Sequence, residues 1–148
     1  MIYFQCDYAE GAHPKLIEAL TRTNYEQTIG YGMDDYCESA RKRIRAACGT
    51  PDADVHLLVG GTQTNMTVIA SILRPHQGVI SADTGHIACH ETGAIEATGH
   101  KGLALPNQAG TITAEQVAAA AAAQLHCPTA EHERQTGKGY ISIPTGSG

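Results

Sequence analysis

Short apolar stretches alternate with helix-like stretches along most of this 148-residue chain, and this alternation is the feature that most constrains its fold. Strands are predicted over four apolar runs, 55–59, 78–82, 102–105 and 139–143. Helices are predicted between them, over 62–73, around 91–98 and from Thr113 through the alanine-rich run. No Asn-Gly or Asp-Gly pair offers a hairpin turn, so parallel βαβ units with right-handed crossovers are expected. The predicted fold class is α/β.

The N-terminal part of the chain is predicted to be helical. Pro14 suits the first turn of a helix, which has its apolar side at Leu16, Ile17 and Leu20. A turn-rich polar segment follows over 23–33. A second helix is predicted to begin after Asp34 or Asp35 and to end at Gly49, since acidic residues cap helix starts and glycine follows helix ends.

Composition narrows the class of protein. The length suits one domain, and 10 basic against 15 acidic residues give a net charge of −5. That balance argues against nucleic acid or an anionic membrane as the main partner. No apolar run approaches the roughly 20 residues of a membrane span, and the N-terminus lacks the pattern of a signal peptide. Five scattered cysteines without a CxxC pair indicate reduced thiols, so a cytoplasmic location is expected.

The stretch GGTQTN, residues 60–65, joins a predicted strand to a predicted helix. The free N–H groups at a helix start make a ready anion site, and Gly60 and Gly61 allow a close approach of the backbone. Hydroxyl groups of Thr62 and Thr64 can add hydrogen bonds. The stretch matches neither GxxxxGK[ST] nor GxGxxG, so nucleotide loops of those kinds are not indicated. A tight turn without a ligand is the alternative interpretation.

Titratable residues cluster after the predicted strand 78–82, at His86, Cys89, His90, Glu91 and His100. Three interpretations are open. The first is a metal site, although the spacing matches no common zinc pattern. The second is an exposed loop with a helix beginning near Glu91. The third places an imidazole against the ring of an aromatic cofactor.

The order of the glycine stretch and the histidine stretch favours the third interpretation. Each follows a predicted parallel strand, and the carboxyl ends of parallel strands share one edge of the sheet, where ligands of open α/β sheets bind. One ligand with a phosphate and an aromatic ring can contact both stretches. Pyridoxal 5'-phosphate is the plainest candidate.

Several stretches carry a family resemblance: DYAEGAHP (7–14), GYGMDDYC (30–37), ADVHLLVGGTQTN (53–65), GVISADTGHIACHETGAIEATGHK (78–101) and GYISIPT (139–145). In this order and spacing the chain resembles the low-specificity threonine aldolases, in the β-eliminating lyase group of fold-type-I pyridoxal-phosphate enzymes. The resemblance implies the N-terminal part of the aspartate aminotransferase-like large domain, with a mostly parallel sheet and flanking helices. It covers nearly the whole chain.

The resemblance implies roles for individual residues. Gly61, Thr62 and Gln63 match the loop that holds the cofactor phosphate. His86 matches the histidine that stacks on the pyridine ring and assists at the substrate hydroxyl. Glu91 matches an acidic residue shortly after that histidine, and both are candidate catalytic residues. No metal is implied.

Residues near the N-terminus match positions close to the active site, where this family combines residues from two subunits. Asp7 and Tyr31 are the candidates for substrate contact, and a homo-oligomer, dimer or tetramer, is expected. Cys6 stands where many relatives have a serine that contacts the substrate carboxylate, and a thiol is the poorer donor. His90 stands where some relatives have an aromatic residue.

The implied reaction is aldol cleavage of a β-hydroxy-α-amino acid such as threonine to glycine and an aldehyde. The resemblance fails at Gly146, before the family's cofactor-binding lysine, and none of the four lysines present matches that position: Lys15, Lys42, Lys101 and Lys138. We therefore expect an arm with the first helix over 1–33, an incomplete cofactor-binding domain over 34–148, and no activity of this chain alone. The alternative is a non-catalytic fragment, or a phosphate-ligand binding piece that needs a partner chain.

Overall fold

The structure, a computed structural model, describes residues 9–125 and 135–141. The chain divides into two compact units, Met1–Leu57 and Leu58–Gly148. The domain boundary expected after residue 33 stays a prediction.

The first unit contains two helices, α1 over Pro14–Thr23 and α2 over Asp35–Cys48. Pro14 opens α1 as predicted. The carboxylate of Asp34 accepts a hydrogen bond of 2.9 Å from the Cys37 N–H and so caps α2. Gly49 ends α2 in the left-handed conformation at φ 64°, which glycine adopts without strain. The predicted start of α1 and both predicted limits of α2 are confirmed.

The second unit is an α/β unit. Its helices are α3 over Gly61–Ile72, α4 over His86–Cys89, α5 over Ala94–Ala97 and α6 over Ala114–Leu125. Its strands are β1 over Gln77–Ala82, β2 over Lys101–Leu105 and β3 over Gln135–Gly139. The described strands form a parallel sheet in the order β2-β1-β3. Parallel strands joined through helices confirm the predicted α/β class. No helix in the described residues is long and apolar enough to cross a bilayer.

The core lies on one face of the central strand β1. Val79 is fully buried there, and it packs with Ile69 and the C-cap residue Leu73 of α3, with Ile87 of α4 and with Ile95 of α5. Burial of each large aliphatic side chain contributes about 1.5–3 kcal/mol. This cluster therefore fixes α3, α4 and α5 against the same face of the sheet.

The predicted strand over 55–59 was wrong. These residues have no regular structure, and Leu57, Leu58 and Val59 are 45%, 41% and 96% exposed. An apolar run becomes a strand only where a neighbouring backbone pairs with it. No described strand pairs with this run.

The last strand lies earlier than predicted, at Gln135–Gly139 rather than 139–143, and residues 142 and 143 fall outside the described residues. Pairing with β1 begins at Gln77 opposite Gln135. Gly137 lets β3 lie close to Leu73 and to Gln77 of β1, because an added Cβ would lie 2.5 Å from Leu73 Cδ2 and 3.0 Å from Gln77 Cβ. Pairing with β1 thus overrides the low strand propensity of a polar, glycine-containing run.

The predicted helix starts have mixed outcomes. Thr113 and Gln116 form the predicted capping box before α6, with reciprocal hydrogen bonds of 2.9 and 3.2 Å. The helix predicted around 91–98 is shorter, since only Ala94–Ala97 is helical. Glu91 lies before it, between α4 and α5.

Candidate active site

The candidate site begins where the central strand β1 ends. After Ala82 the chain turns through Gly85, and α4 starts at His86. A Cβ at position 85 would lie 2.9 Å from the carbonyl oxygen of Ala82, so the turn requires glycine. This tight turn places His86 directly beyond the carboxyl end of β1.

His86 and Glu91 form the central pair of the site. The Nδ1 atom of His86 lies 2.8 Å from the Oε1 atom of Glu91. The Glu91 side chain is completely buried, whereas that of His86 is 42% exposed. If the carboxylate accepts this hydrogen bond, the hydrogen lies on His86 Nδ1. The Nε2 atom of His86 then carries the free lone pair.

Asn65 of α3 is the third member of this cluster. Its Nδ2 group donates a hydrogen bond of 2.5 Å to Glu91 Oε1 and a longer one of 3.4 Å to the Tyr140 hydroxyl. The Oε2 atom of Glu91 is buried and has no hydrogen-bond partner within the described residues. Sequence reasoning missed Asn65 and Tyr140. The only available signal for Asn65 was its place at the end of GGTQTN.

The glycine turn at the start of α3 is exposed. Gly60 is the N-cap with extended backbone, and an added Cβ at Gly60 or Gly61 would meet nothing within 4 Å. The Gln63 side chain accepts from the Val59 N–H at 2.9 Å, and the Thr64 hydroxyl donates to the Gly60 carbonyl at 2.9 Å.

Within the described residues, the backbone N–H groups of Gly61, Thr62 and Gln63 at the helix start have no hydrogen-bond acceptor. The exposed hydroxyl of Thr62 adds a fourth polar group. The glycines serve no packing purpose in the described chain, and the turn has room for an anion.

The glycine turn at the start of α3 lies close to the His86–Glu91 pair. Gly61 and Asn65 are four residues apart on α3, hence on the same side and about 6 Å apart along the helix axis. Asn65 in turn contacts Glu91, the partner of His86. The sequence predicted that the glycine stretch and the histidine stretch lie close together. Helix α3 brings them together through Asn65. The predicted strand 55–59 before the glycine turn plays no part, because these residues form no strand.

The remaining residues of the histidine stretch have other surroundings. The His90 ring lies 5.6 Å from the His86 ring at an angle of 55°, and the Cys89 thiol donates to the Asp83 carbonyl. His100 is buried at the start of β2, with Nδ1 3.1 Å from the Gln77 carbonyl oxygen, at the opposite end of the sheet. Within the described parts of the chain no three His, Cys, Asp or Glu side chains are grouped in a way that could hold a metal ion.

A polar clamp joins the ends of β1 and β2 beside the site. Asp83 accepts hydrogen bonds from the side chain and the backbone N–H of Asn107, at 2.9 and 3.0 Å. The hydrogen bond from the Asn107 side chain is the main reason why the pKa of Asp83 lies below its ordinary value of 3.8. The hydrogen bond from the Asn107 backbone N–H lowers this pKa further. Sequence reasoning missed this clamp.

The two candidates for substrate contact are not part of the described cluster. Asp7 lies outside the described residues. Tyr31 belongs to the first unit, where its side chain is fully exposed and its backbone is in the left-handed region at φ 63°. A positive φ is uncommon for a tyrosine. The roles of both residues stay predictions.

Comparison with known proteins identifies the family. Residues 6–132 match the family described as Beta-eliminating lyase. The chain belongs to the β-eliminating lyase family. Its relatives include the low specificity L-threonine aldolases of Pseudomonas sp. (strain NCIMB 10558) and Pseudomonas aeruginosa, each 28% identical over 112 residues. Each match covers 74% of this chain and 32% of the relative.

A solved structure of Leishmania major threonine aldolase is also similar. It is 41% identical with a TM-score of 0.86, and the match covers 94% of this chain and 40% of that one. The predicted fold, the N-terminal part of the fold-type-I large domain, is thereby confirmed. This family member spans about a third of the length of the Pseudomonas relatives.

Proposed function

We propose that these residues form part of a pyridoxal-phosphate-dependent lyase that cleaves a β-hydroxy-α-amino acid such as threonine to glycine and an aldehyde. The observation that carries the proposal is the His86–Glu91 pair, which Asn65 connects to the helix start one turn earlier on α3, in a chain similar to threonine aldolases. A part-exposed imidazole near this helix start suits a substrate held by a phosphorylated ring.

The residues present fit this cofactor. The N–H groups of Gly61, Thr62 and Gln63, with the Thr62 hydroxyl, would hold the phosphate through the positive end of α3. The part-exposed ring of His86 would lie against the pyridine ring. When bound, the cofactor supplies an electron sink for the bond cleavage.

The protein's own contribution is to position a proton acceptor. Because Glu91 takes the Nδ1 hydrogen bond, His86 accepts the proton of the substrate hydroxyl at Nε2. Glu91 then faces the imidazolium and stabilises its charge. Burial of the carboxylate strengthens this interaction, since few water molecules screen it.

The 148-residue chain by itself is proposed to be inactive. None of its four lysines matches the position at which the family attaches the cofactor. Lys101, for example, is at the start of β2, whereas the candidate site lies at the carboxyl ends of the strands. The complete enzyme is proposed to be a cytoplasmic homo-oligomer, with Asp7 and Tyr31 near the substrate.

A chimera tests the proposal. Residues 1–141 of this chain would replace the matching part of the Leishmania major enzyme, and aldehyde release from threonine would be measured with added pyridoxal 5'-phosphate. We expect cleavage by the chimera, a loss of about 10²–10⁴-fold in the His86→Ala variant, and no cleavage by the 148-residue chain. A folded, cofactor-loaded chimera without aldehyde release, or an unaffected His86→Ala variant, would contradict the proposal.

A second candidate function is binding of a phosphorylated ligand without catalysis. The exposed glycine turn favours it, because its donors need no other part of the chain. Ligand binding by the 148-residue chain, combined with an inactive chimera, is the result that would favour this candidate.

A further inference from the structure

We infer that Asn65 is a positioning residue that determines which ring nitrogen of His86 carries the hydrogen, acting through Glu91. The catalytic meaning of this inference rests on the proposed function, in which His86 Nε2 accepts a proton. The inference about the tautomer rests only on the contacts of the described residues.

Asn65 joins three separate parts of the second unit. Its backbone belongs to α3, and its amide donates to Glu91, between α4 and α5, and to Tyr140, after β3. Ile69 lies four residues further along α3 and packs into the core, so the side of the helix that carries Asn65 is held in place. The amide therefore has a fixed direction of approach.

The Asn65 amide contacts the same carboxylate oxygen as His86. Glu91 Oε1 receives both hydrogen bonds, while Oε2 has no partner within the described residues. Because Oε1 already accepts from the Asn65 amide, this oxygen faces His86 as an acceptor, and His86 Nδ1 is the atom that donates. A protonated Glu91 would instead be able to donate to His86 Nδ1, which would move the ring hydrogen to Nε2.

Among the described residues, no charged side chain besides these two contacts the His86–Glu91 pair. His90 from the end of α4 faces the His86 ring at 5.6 Å, and Tyr140 reaches the cluster only through Asn65. The Asp83 carboxylate is engaged by Asn107. Among the described residues, Asn65 is thus the group that holds Glu91 Oε1 in place as the acceptor for His86.

The test is nitrogen NMR of the histidine rings in the ¹⁵N-labelled 148-residue chain at pH 7.5 without cofactor. We expect His86 to carry its hydrogen on Nδ1. In Asn65→Leu the amide donor is lost, and in Asn65→Asp a second carboxylate faces Glu91. In both variants the ratio of the Nδ1–H to the Nε2–H form is expected to fall several-fold.

Asn24→Asp is the matched control, because it makes the same chemical change at the C-cap of α1, in the other unit. Its His86 tautomer is expected to equal that of the unmodified chain. An Nε2–H form in the unmodified chain, or an unchanged ratio in both Asn65 variants, would overturn the inference.

Glu91→Gln keeps the test decisive if the Asn65 variants fail to fold. With Asn65 present, the amide oxygen of the glutamine should stay on the Asn65 side and still accept from His86, so the Nδ1–H form is expected. The Nε2–H form in Glu91→Gln would contradict the inference. Because none of these measurements needs cofactor or activity, an inactive chimera would count against the proposed function and leave the tautomer result standing.

Discussion

The two halves of the candidate site are built in opposite ways. The glycine turn around Gly61 is exposed, its side-chain hydrogen bonds are local, and Val59 beside it is 96% exposed. In the other half, the buried carboxylate of Glu91 holds His86, and Asn65 on α3 holds that carboxylate in turn. In the proposed function, the difference teaches that anion binding is left to backbone groups that need little support. The proposed proton transfer, in contrast, depends on side chains that the fold must hold.

The largest expected difference between the two regions is in stability. Ile95 of α5 is almost fully buried in the core, so Ile95→Ala removes core packing and should lower the free energy of unfolding by about 2–5 kcal/mol. Val59→Ala at the glycine turn should change it by about 0.5 kcal/mol or less. Urea denaturation measures both, and equal losses would remove the distinction between the regions.

The polar cluster should show a smaller loss. Glu91→Leu leaves the Asn65 amide and His86 Nδ1 without their common acceptor, at a cost of about 1–3 kcal/mol. Gln63→Leu removes only an exposed hydrogen bond to Val59 and should cost about 0.5 kcal/mol or less. A Glu91→Leu chain as stable as the original would show that the cluster does not support the fold.

Substitution at the glycine turn should affect ligand binding more than it affects stability. Gly61→Ala adds a methyl group that meets nothing in the chain, so stability should stay within about 0.5 kcal/mol. The same methyl group narrows the approach of a phosphate to the helix start, and affinity for pyridoxal 5'-phosphate should fall about tenfold, or about 1.4 kcal/mol. Gly139→Ala, where an added Cβ also meets nothing, is the control. If the Gly61→Ala and Gly139→Ala chains bound pyridoxal 5'-phosphate with equal affinity, the phosphate would not bind at this turn.

The smallest effect concerns the clamp between β1 and β2. Asn107 lowers the pKa of Asp83, so this group stabilises the fold above its unfolded pKa near 3.8 and loses that contribution as the pH falls through the lower folded pKa. Asn107→Ala should raise the pKa of Asp83 toward 3.8 and weaken the pH dependence of stability below about pH 4. Carboxyl carbon NMR measures this, and an unchanged Asp83 titration would exclude the side chain of Asn107 as the cause.

Features that depend on neighbouring residues were predictable from the sequence. Asp34 and the Thr113–Gln116 pair cap helices through bonds across three residues, and Gly49 ends α2 by its own conformation. The α/β class followed from the order of the patterns. His86 and Glu91 were identified by family resemblance, and their hydrogen bond joins residues five apart.

Features that depend on distant partners were not predictable. The run 55–59 has strand composition but no described pairing partner, whereas the polar Gln135–Gly139 pairs with β1. Asn65 was missed because its partners are 26 and 75 residues away along the chain. The clamp between Asp83 and Asn107 was missed for the same reason.

The central claim is that the start of α3 and His86 bind one ligand, and titration of the ¹⁵N-labelled 148-residue chain with pyridoxal 5'-phosphate tests it most directly. We expect the amide signals of Gly61 and Thr62 and the ring signals of His86 to shift with a single dissociation constant. Inorganic phosphate should compete, and pyridoxal without its phosphate should bind more weakly. Shifts at only one of the two places, or two different dissociation constants, would contradict the claim.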